Sequence, residues 1–210
     1  MGLDYTYRLF FPRERVPEAL EGLAARCAPP PRGTARICLP QGIREFPFEP
    51  FREDALPNWD DESYSFDIIL RLEADEALEK FTRIAPQQLE AQGGETALGY
   101  VYFRVDNPPD EAVSCFVFIA GGNRMSWAFL DSRSLQSAFS DLLAAHGGLC
   151  GLLDRDEDCI VFWWRGQATW ETLHEAWTLE EIDAQMQQAL HQQEKSTRSA
   201  PRRRYRCRKK

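Results

Sequence analysis

The sequence predicts an α+β fold: an antiparallel or mixed sheet with helices grouped on one face, plus a basic tail that stands apart from it. Alternation of Tyr64, Phe66, Ile68, Leu70 and Leu72 with Ser65, Asp67 and Arg71 marks a strand with one face in a core. Val16, Leu20, Leu23, Ala24 and Cys27 recur at helical spacing and leave Glu18, Glu21 and Arg26 outside. The third observation is electrostatic. Nine of the 25 Lys and Arg residues lie in 195–210, which holds no acid, so a chain total of −8 leaves −17 on residues 1–194. The expected organisation is one α+β domain over 1–194 and a disordered basic tail over 195–210.

The elements follow in order. Tyr5, Tyr7, Leu9 and Phe11 form a strand that Pro12 ends, and the helix from Val16 stops at Pro29-Pro30-Pro31. Apolar runs at 35–39 and 43–48 around Pro40-Gln41-Gly42 read as a hairpin, with Pro47 confined to an edge. After the strand at 64–72, a helix is expected from Asp75 to Ile84, broken or restarted at Pro86. Leu98–Val105, Val113–Ile119 and Met125–Leu130 read as a meander turning at Asn107-Pro108-Pro109-Asp110 and Gly121-Gly122-Asn123.

Leu135, Phe139, Leu142, Leu143 and His146 then repeat the spacing of Val16 to Cys27, shifted by the same interval at each position. Gly147-Gly148 closes this helix, and apolar runs at 149–153 and 159–164 flank an acidic turn. A β-α-β-β unit used twice, near 4–48 and 125–164, is one reading. Ordinary amphipathic spacing is the other. Finally, Leu179, Ile182, Met186 and Leu190 give a narrow stripe on a helix capped by Thr178 with Glu181 three residues on, and Ser196–Pro201 reads as a flexible linker.

Composition bounds the function classes. A hydrophobic fraction of 43% with 12% aromatics describes a folded body. No apolar run approaches the roughly 18 residues of a membrane span, and the N-terminus reads as a strand, so neither a span nor a leader is expected. Met1-Gly2-Leu3-Asp4-Tyr5-Thr6 fits the loose myristoylation pattern, but a frayed terminus before a strand explains it as well. Cys207 is followed by Arg208, Lys209 and Lys210, which is no prenylation box. The six cysteines form no CxxC pair and read as reduced thiols of a cytoplasmic, bacterial-type protein.

No metal or cofactor is expected. Asp154, Asp156 and Asp158 resemble the opening of a calcium loop, yet Cys159 stands where glycine must follow and Arg165 where the closing Glu must be. His174-Glu175 lacks its second histidine, because Thr178 occupies that position. GxSxG, Walker and Rossmann patterns are missing. His146 reads as a helix-end residue whose cation the dipole favours; with Cys27, Cys38, Cys115 or Cys150 it is the remaining nucleophile-and-base combination. Phe162, Trp163, Trp164, Trp170 and Trp177 read as packing residues.

Three functions follow in descending order. The first is a non-enzymatic interaction module whose acidic body neutralises or regulates a basic protein, as an immunity protein does. Its expected docking loop is Phe51, Asp54, Trp59, Asp60, Asp61 and Glu62, aromatic anchors ringed by carboxylates. The second is a nucleic-acid- or ribosome-associated protein that grips phosphates through Arg202, Arg203, Arg204, Arg206 and Arg208 and stacks Tyr205 on a base. The third is an enzyme whose site is assembled from distant residues.

Overall fold

The computed structural model describes residues 5–199 apart from Glu53, Asp156, Glu175 and Trp177. Strand β1 (Thr6–Pro12) leads through a single 3-10 turn into α1 (Val16–Ala24), and β2 (Ala35–Leu39) and β3 (Gly42–Phe46) form a separate two-stranded sheet. β4 (Phe48–Pro50) and β5 (Ser63–Glu73) precede α2 (Glu76–Thr82) and α3 (Pro86–Ala91). β6 (Glu95–Asp106) and β7 (Val113–Ile119) lead to α4 (Asn123–Asp131) and α5 (Arg133–Ala145). β8 (Cys150–Asp154), β9 (Asp158–Trp164), β10 (Gln167–His174) and α6 (Leu179–Ser199) complete the chain.

The architecture is α+β. Eight strands make one antiparallel sheet in the order β10-β9-β8-β1-β7-β6-β5-β4, so the first strand in sequence is central in space. Alternation along each strand divides the side chains between two cores. Tyr7, Leu9 and Phe11 join Phe66, Phe103, Phe116 and Phe118 in a main core that includes the inner faces of α1 and α5. Phe10 points the other way, into a smaller core with Cys150, Leu152, Cys159 and Val161 that Ile182 and Met186 of α6 cover. Helices α1, α2, α4 and α5 therefore pack on one face, and α6 lies over the opposite face of β8–β10.

Pro47 falls between β3 and β4, where the chain leaves the small sheet for the edge of the large one, a place where no ladder needs its missing N–H. Pro86 opens α3 at the first helical position, as a residue without an N–H should. The capping box at α6 is formed: Glu181 N–H donates to Thr178 Oγ1 at 3.2 Å, and Thr178 N–H to Glu181 Oε2 at 2.9 Å.

Three expectations are corrected. Met125–Leu130 is helical, not a strand: Met125, Ser126, Ala128 and Phe129 are buried while Trp127 faces out, a 3.6-residue period that a short apolar run does not separate from alternation. The second candidate unit thus opens on a helix, and its β8 and β9 lie in the large sheet while β2 and β3 do not. Helix α6 continues through Ser199, past the expected start of a linker at Ser196. Residues 200–210, including Arg202, Arg203, Arg204, Tyr205, Arg206 and Arg208, lie outside the described residues, as do Met1 to Asp4.

Helix α5 approaches β8 closely because position 151 is glycine. A Cβ there would lie 2.6 Å from both Leu143 Cδ1 and Phe162 Cζ. Gly151→Ala is expected to destabilise the fold by about 1–3 kcal/mol through overpacking. A urea midpoint lowered at unchanged m-value is the measurement that checks it.

Candidate protein-docking site

The acidic loop begins at the β4 edge and is held by backbone bonds at its far end. Cys38 N–H donates to Pro57 O at 2.9 Å and Trp59 N–H to Cys38 O at 3.0 Å, which ties the loop to β2. Asp61 closes the next turn by accepting the Asn58 N–H on Oδ2 at 2.8 Å, a local side-chain bond of the kind that makes Asp a turn residue.

Asn107 then joins this loop to the β6–β7 turn. It is fully buried; its amide donates to Trp59 O at 3.0 Å and to Asp61 O at 2.8 Å, and its backbone N–H to Glu62 O at 2.7 Å. Arg13, just after β1, clamps the same two segments from outside, donating to Pro108 O at 2.9 Å and to Asp60 O at 3.0 Å. With the backbone so fixed, the exposed carboxylates of Asp60, Asp61 and Glu62 share one end of the sheet with those of Asp110 and Glu111, and Asp54 is exposed earlier in the same loop.

The loop's aromatics divide. Trp59 packs against the main core, and its carbonyl also accepts the Tyr64 hydroxyl at 3.1 Å. Burial pushes the Tyr64 phenol up; an Asn107 hydrogen bond opposes the shift, and the charges of Asp61 and Asp60 add to it. Phe51 is 55% exposed, with its ring 5.5 Å from that of Tyr102, and Leu56 is 46% exposed, so these two supply outward apolar surface. From Glu111 a cleft of about 460 Å³ continues to the start of α6, bounded by Leu179, Glu180 and Asp183. A recess of about 200 Å³ adjoins it, where Arg8, Phe10, Asp106 and Cys115 meet.

Other acids have partners inside the fold. Glu49 is only 7% exposed and pairs with Arg32 at 3.5 Å. Its cross-strand neighbour is Asp67, whose carboxyl is raised by burial and by the Glu49 charge, with Arg32 opposing. Asp158 takes a bidentate bond from Arg155, at 2.7 Å for each nitrogen, so the β8–β9 turn closes on its own arginine. Trp164 Nε1 and Arg165 Nη2 bind the two oxygens of Asp183 at 2.7 and 2.6 Å and dock α6 onto β9. Phe162 and Trp163 are buried in the main core, Trp170 is 55% exposed on β10, and Trp177 lies outside the described residues.

His146 differs from its expected character. It caps α5, but its ring presses against α1, where a Cβ on Gly22 would lie 2.2 Å from Nε2. Burial lowers its pKa, with Glu18 opposing and Arg15 and Arg26 adding to the fall, so the neutral ring is favoured over the dipole-stabilised cation. Burial also pushes the Cys27 and Cys115 thiols up to about 12 and the Cys159 thiol to about 11, and raises Cys150 as well. Neutral thiols are poor nucleophiles. Among the described residues no group of three or more His, Cys, Asp or Glu side chains is placed to hold a metal ion, and no helix is long and apolar enough to cross a membrane.

Asn107 and Arg13 went unremarked as site residues in the sequence. The Asn-Pro-Pro-Asp signal marks a turn, but nothing in it says which distant loop the turn will hold. No family model matches the chain, and no curated protein or solved structure is significantly similar to it.

Two outcomes are expected. Because the folded-state pKa of Asp67 is raised, its ionised form subtracts from stability above the unfolded value of about 3.9 and the penalty fades as pH falls through that range. Asp67→Asn should therefore stabilise the fold near neutral pH and lose that gain below about pH 4, as thermal melts across pH will report. Ellman's reagent on the native protein at pH 8 should leave the buried Cys27, Cys150 and Cys159 unmodified until denaturant is added.

Proposed function

We propose that this chain is a cytoplasmic protein-binding module whose acidic end captures a basic protein and thereby neutralises or regulates it. One observation carries the reading. Carboxylates from two loops distant in sequence are gathered at one end of the sheet, on backbone that Asn107 and Arg13 hold in place. Holding like charges together costs electrostatic energy, and a cationic partner relieves that cost while steering by field speeds its encounter. Phe51 and Leu56 add apolar area beside the charge, the mixture from which interface anchors and rims are made. The cleft between Glu111 and Glu180 extends the same sign of charge and gives a lysine or arginine side chain somewhere to enter.

The test reverses charge without touching the scaffold. Asp61 is left alone because its carboxylate holds the Asn58 N–H, and Asp60→Lys, Glu62→Lys and Asp110→Lys are combined. A basic partner identified by crosslinking should bind the wild type with an affinity that falls as salt rises. It should bind the triple variant at least about tenfold more weakly, mostly through slower association. Affinity indifferent to both salt and charge reversal would sink the proposal.

A further inference from the structure

On the helical side of the molecule one groove departs from the acidic character of the body. A groove of about 590 Å³ opens between α2 and α4, and the charged residues lining it are Lys80, Arg83, Arg124 and Asp131, three bases to one acid on a body that carries −17. Among the described residues, none of these three bases forms an ion pair with a carboxylate. Arg124 is nevertheless fixed. Its guanidinium lies 5.4 Å from the centre of the Phe81 ring and donates to the Phe81 carbonyl.

The groove has an aromatic wall as well. Trp127 is 51% exposed although its neighbours Ser126 and Ala128 are buried, so α4 directs its largest side chain away from the core and into the lining of the groove. The small residues Ala77 and Ala128 line it too, and leave room that longer side chains would fill. The junction is rigid: Asp75 caps α2 through Leu78 N at 2.9 Å and ties it to the α4–α5 corner through Ser132 Oγ at 2.9 Å and Ser134 N at 3.0 Å. Burial acts to raise the Asp75 carboxyl, but these hydrogen bonds outweigh it and hold the group below its usual range, charged and in place.

Size selects among occupants. Helices of seven and nine residues give a groove about 10–14 Å long at 1.5 Å per residue, which is short for a helix of a partner protein. The volume falls in the range of small-molecule sites, about 300–1,000 Å³. We propose that this groove binds a small ligand built from a planar aromatic ring and a phosphate or carboxylate group, the ring stacking on Trp127 and the anion held by Lys80 and Arg83. The site is independent of the acidic end and stands or falls separately from it.

AMP and indole-3-acetate serve as the phosphate and carboxylate probes, followed by calorimetry and by the indole N–H signals of the intact protein, with Trp127 assigned through Trp127→Phe. At least one probe should saturate at millimolar concentration or below and shift the Trp127 signal, and which one does so identifies the anion. Adenosine alone and inorganic phosphate alone should each bind at least about tenfold more weakly than AMP if AMP is the probe that saturates. Lys80→Gln combined with Arg83→Gln, both exposed, should weaken binding at least about tenfold and make it insensitive to salt. Trp127→Ala should do likewise, while Trp127→Phe retains binding. The proposal is overturned if neither probe saturates, if inorganic phosphate matches AMP, or if the Lys80/Arg83 variant binds as the wild type does.

Discussion

The structure depends on the placement of β1 at the centre of the sheet, and within β1 on Tyr7. The strand pairs with β7 on one side and β8 on the other, so it is the only connection between the two halves of the ladder. The Tyr7 ring meets Phe129, Phe139 and Phe162 at centroid distances of 5.3, 4.9 and 5.5 Å, joining α4, α5 and β9 at one point. A buried hydroxyl at such a point would cost stability if it had no partner; here it donates to Phe129 O at 2.7 Å. Burial pushes this phenol far up, which favours the protonated form that donates. Tyr7 thus ties the first strand to residues more than a hundred positions away, the non-local kind of contact that slows folding.

From that centre the acidic end can be understood as a matter of register. The β1 ladder ends at Pro12, and the Arg13 N–H bonds Ala112 O at 2.8 Å, so the next guanidinium lies beside the β6–β7 turn. Arg13 spends its donors on two carbonyls and not on a carboxylate, which positions the loops while leaving the surface acids uncompensated. Asn107 does the same from inside, with its Oδ1 left buried without a partner among the described residues, a local cost that the rest of the fold absorbs. The acceptors of these bonds are carbonyl oxygens and not carboxylates, so the surface acids keep their charge for a partner.

This division also explains what was legible in the sequence. Strands such as Tyr64–Leu72 and helices such as Val16–Ala24 could be read because one face is apolar and the other polar, and that contrast is what burial selects. β10 gave no such signal: it is an edge strand, mostly exposed, with Leu173 its one buried side chain, so its pairing rests on backbone bonds to β9. Met125–Leu130 misled because six residues contain too few turns to separate the two periods. For the docking loop, composition located the acids, whereas Arg13, Asn107, Asp110 and Glu111 join it only through three-dimensional pairing. The groove beside Trp127 was likewise invisible, since it is formed by two short helices that touch in space but lie far apart along the chain.

The placement of the two charged features follows from the same economy of partners. Among the described residues, Arg8, Arg15, Arg32, Arg104, Arg155 and Arg165 pair with carboxylates. Lys80, Arg83 and Arg124 are among the bases that form no such pair, and α2 and α4 set these three around a concave, partly aromatic surface beside Ala77, Phe81, Trp127 and Ala128. Asp131 is the one carboxylate in that lining, and it forms no ion pair with any of the three. Salt screens exposed charges over a Debye length of about 8 Å under physiological conditions, so the field of each charged feature is local. If both proposals hold, a cationic partner at the acidic end and an anionic ligand in the groove engage different groups and do not compete.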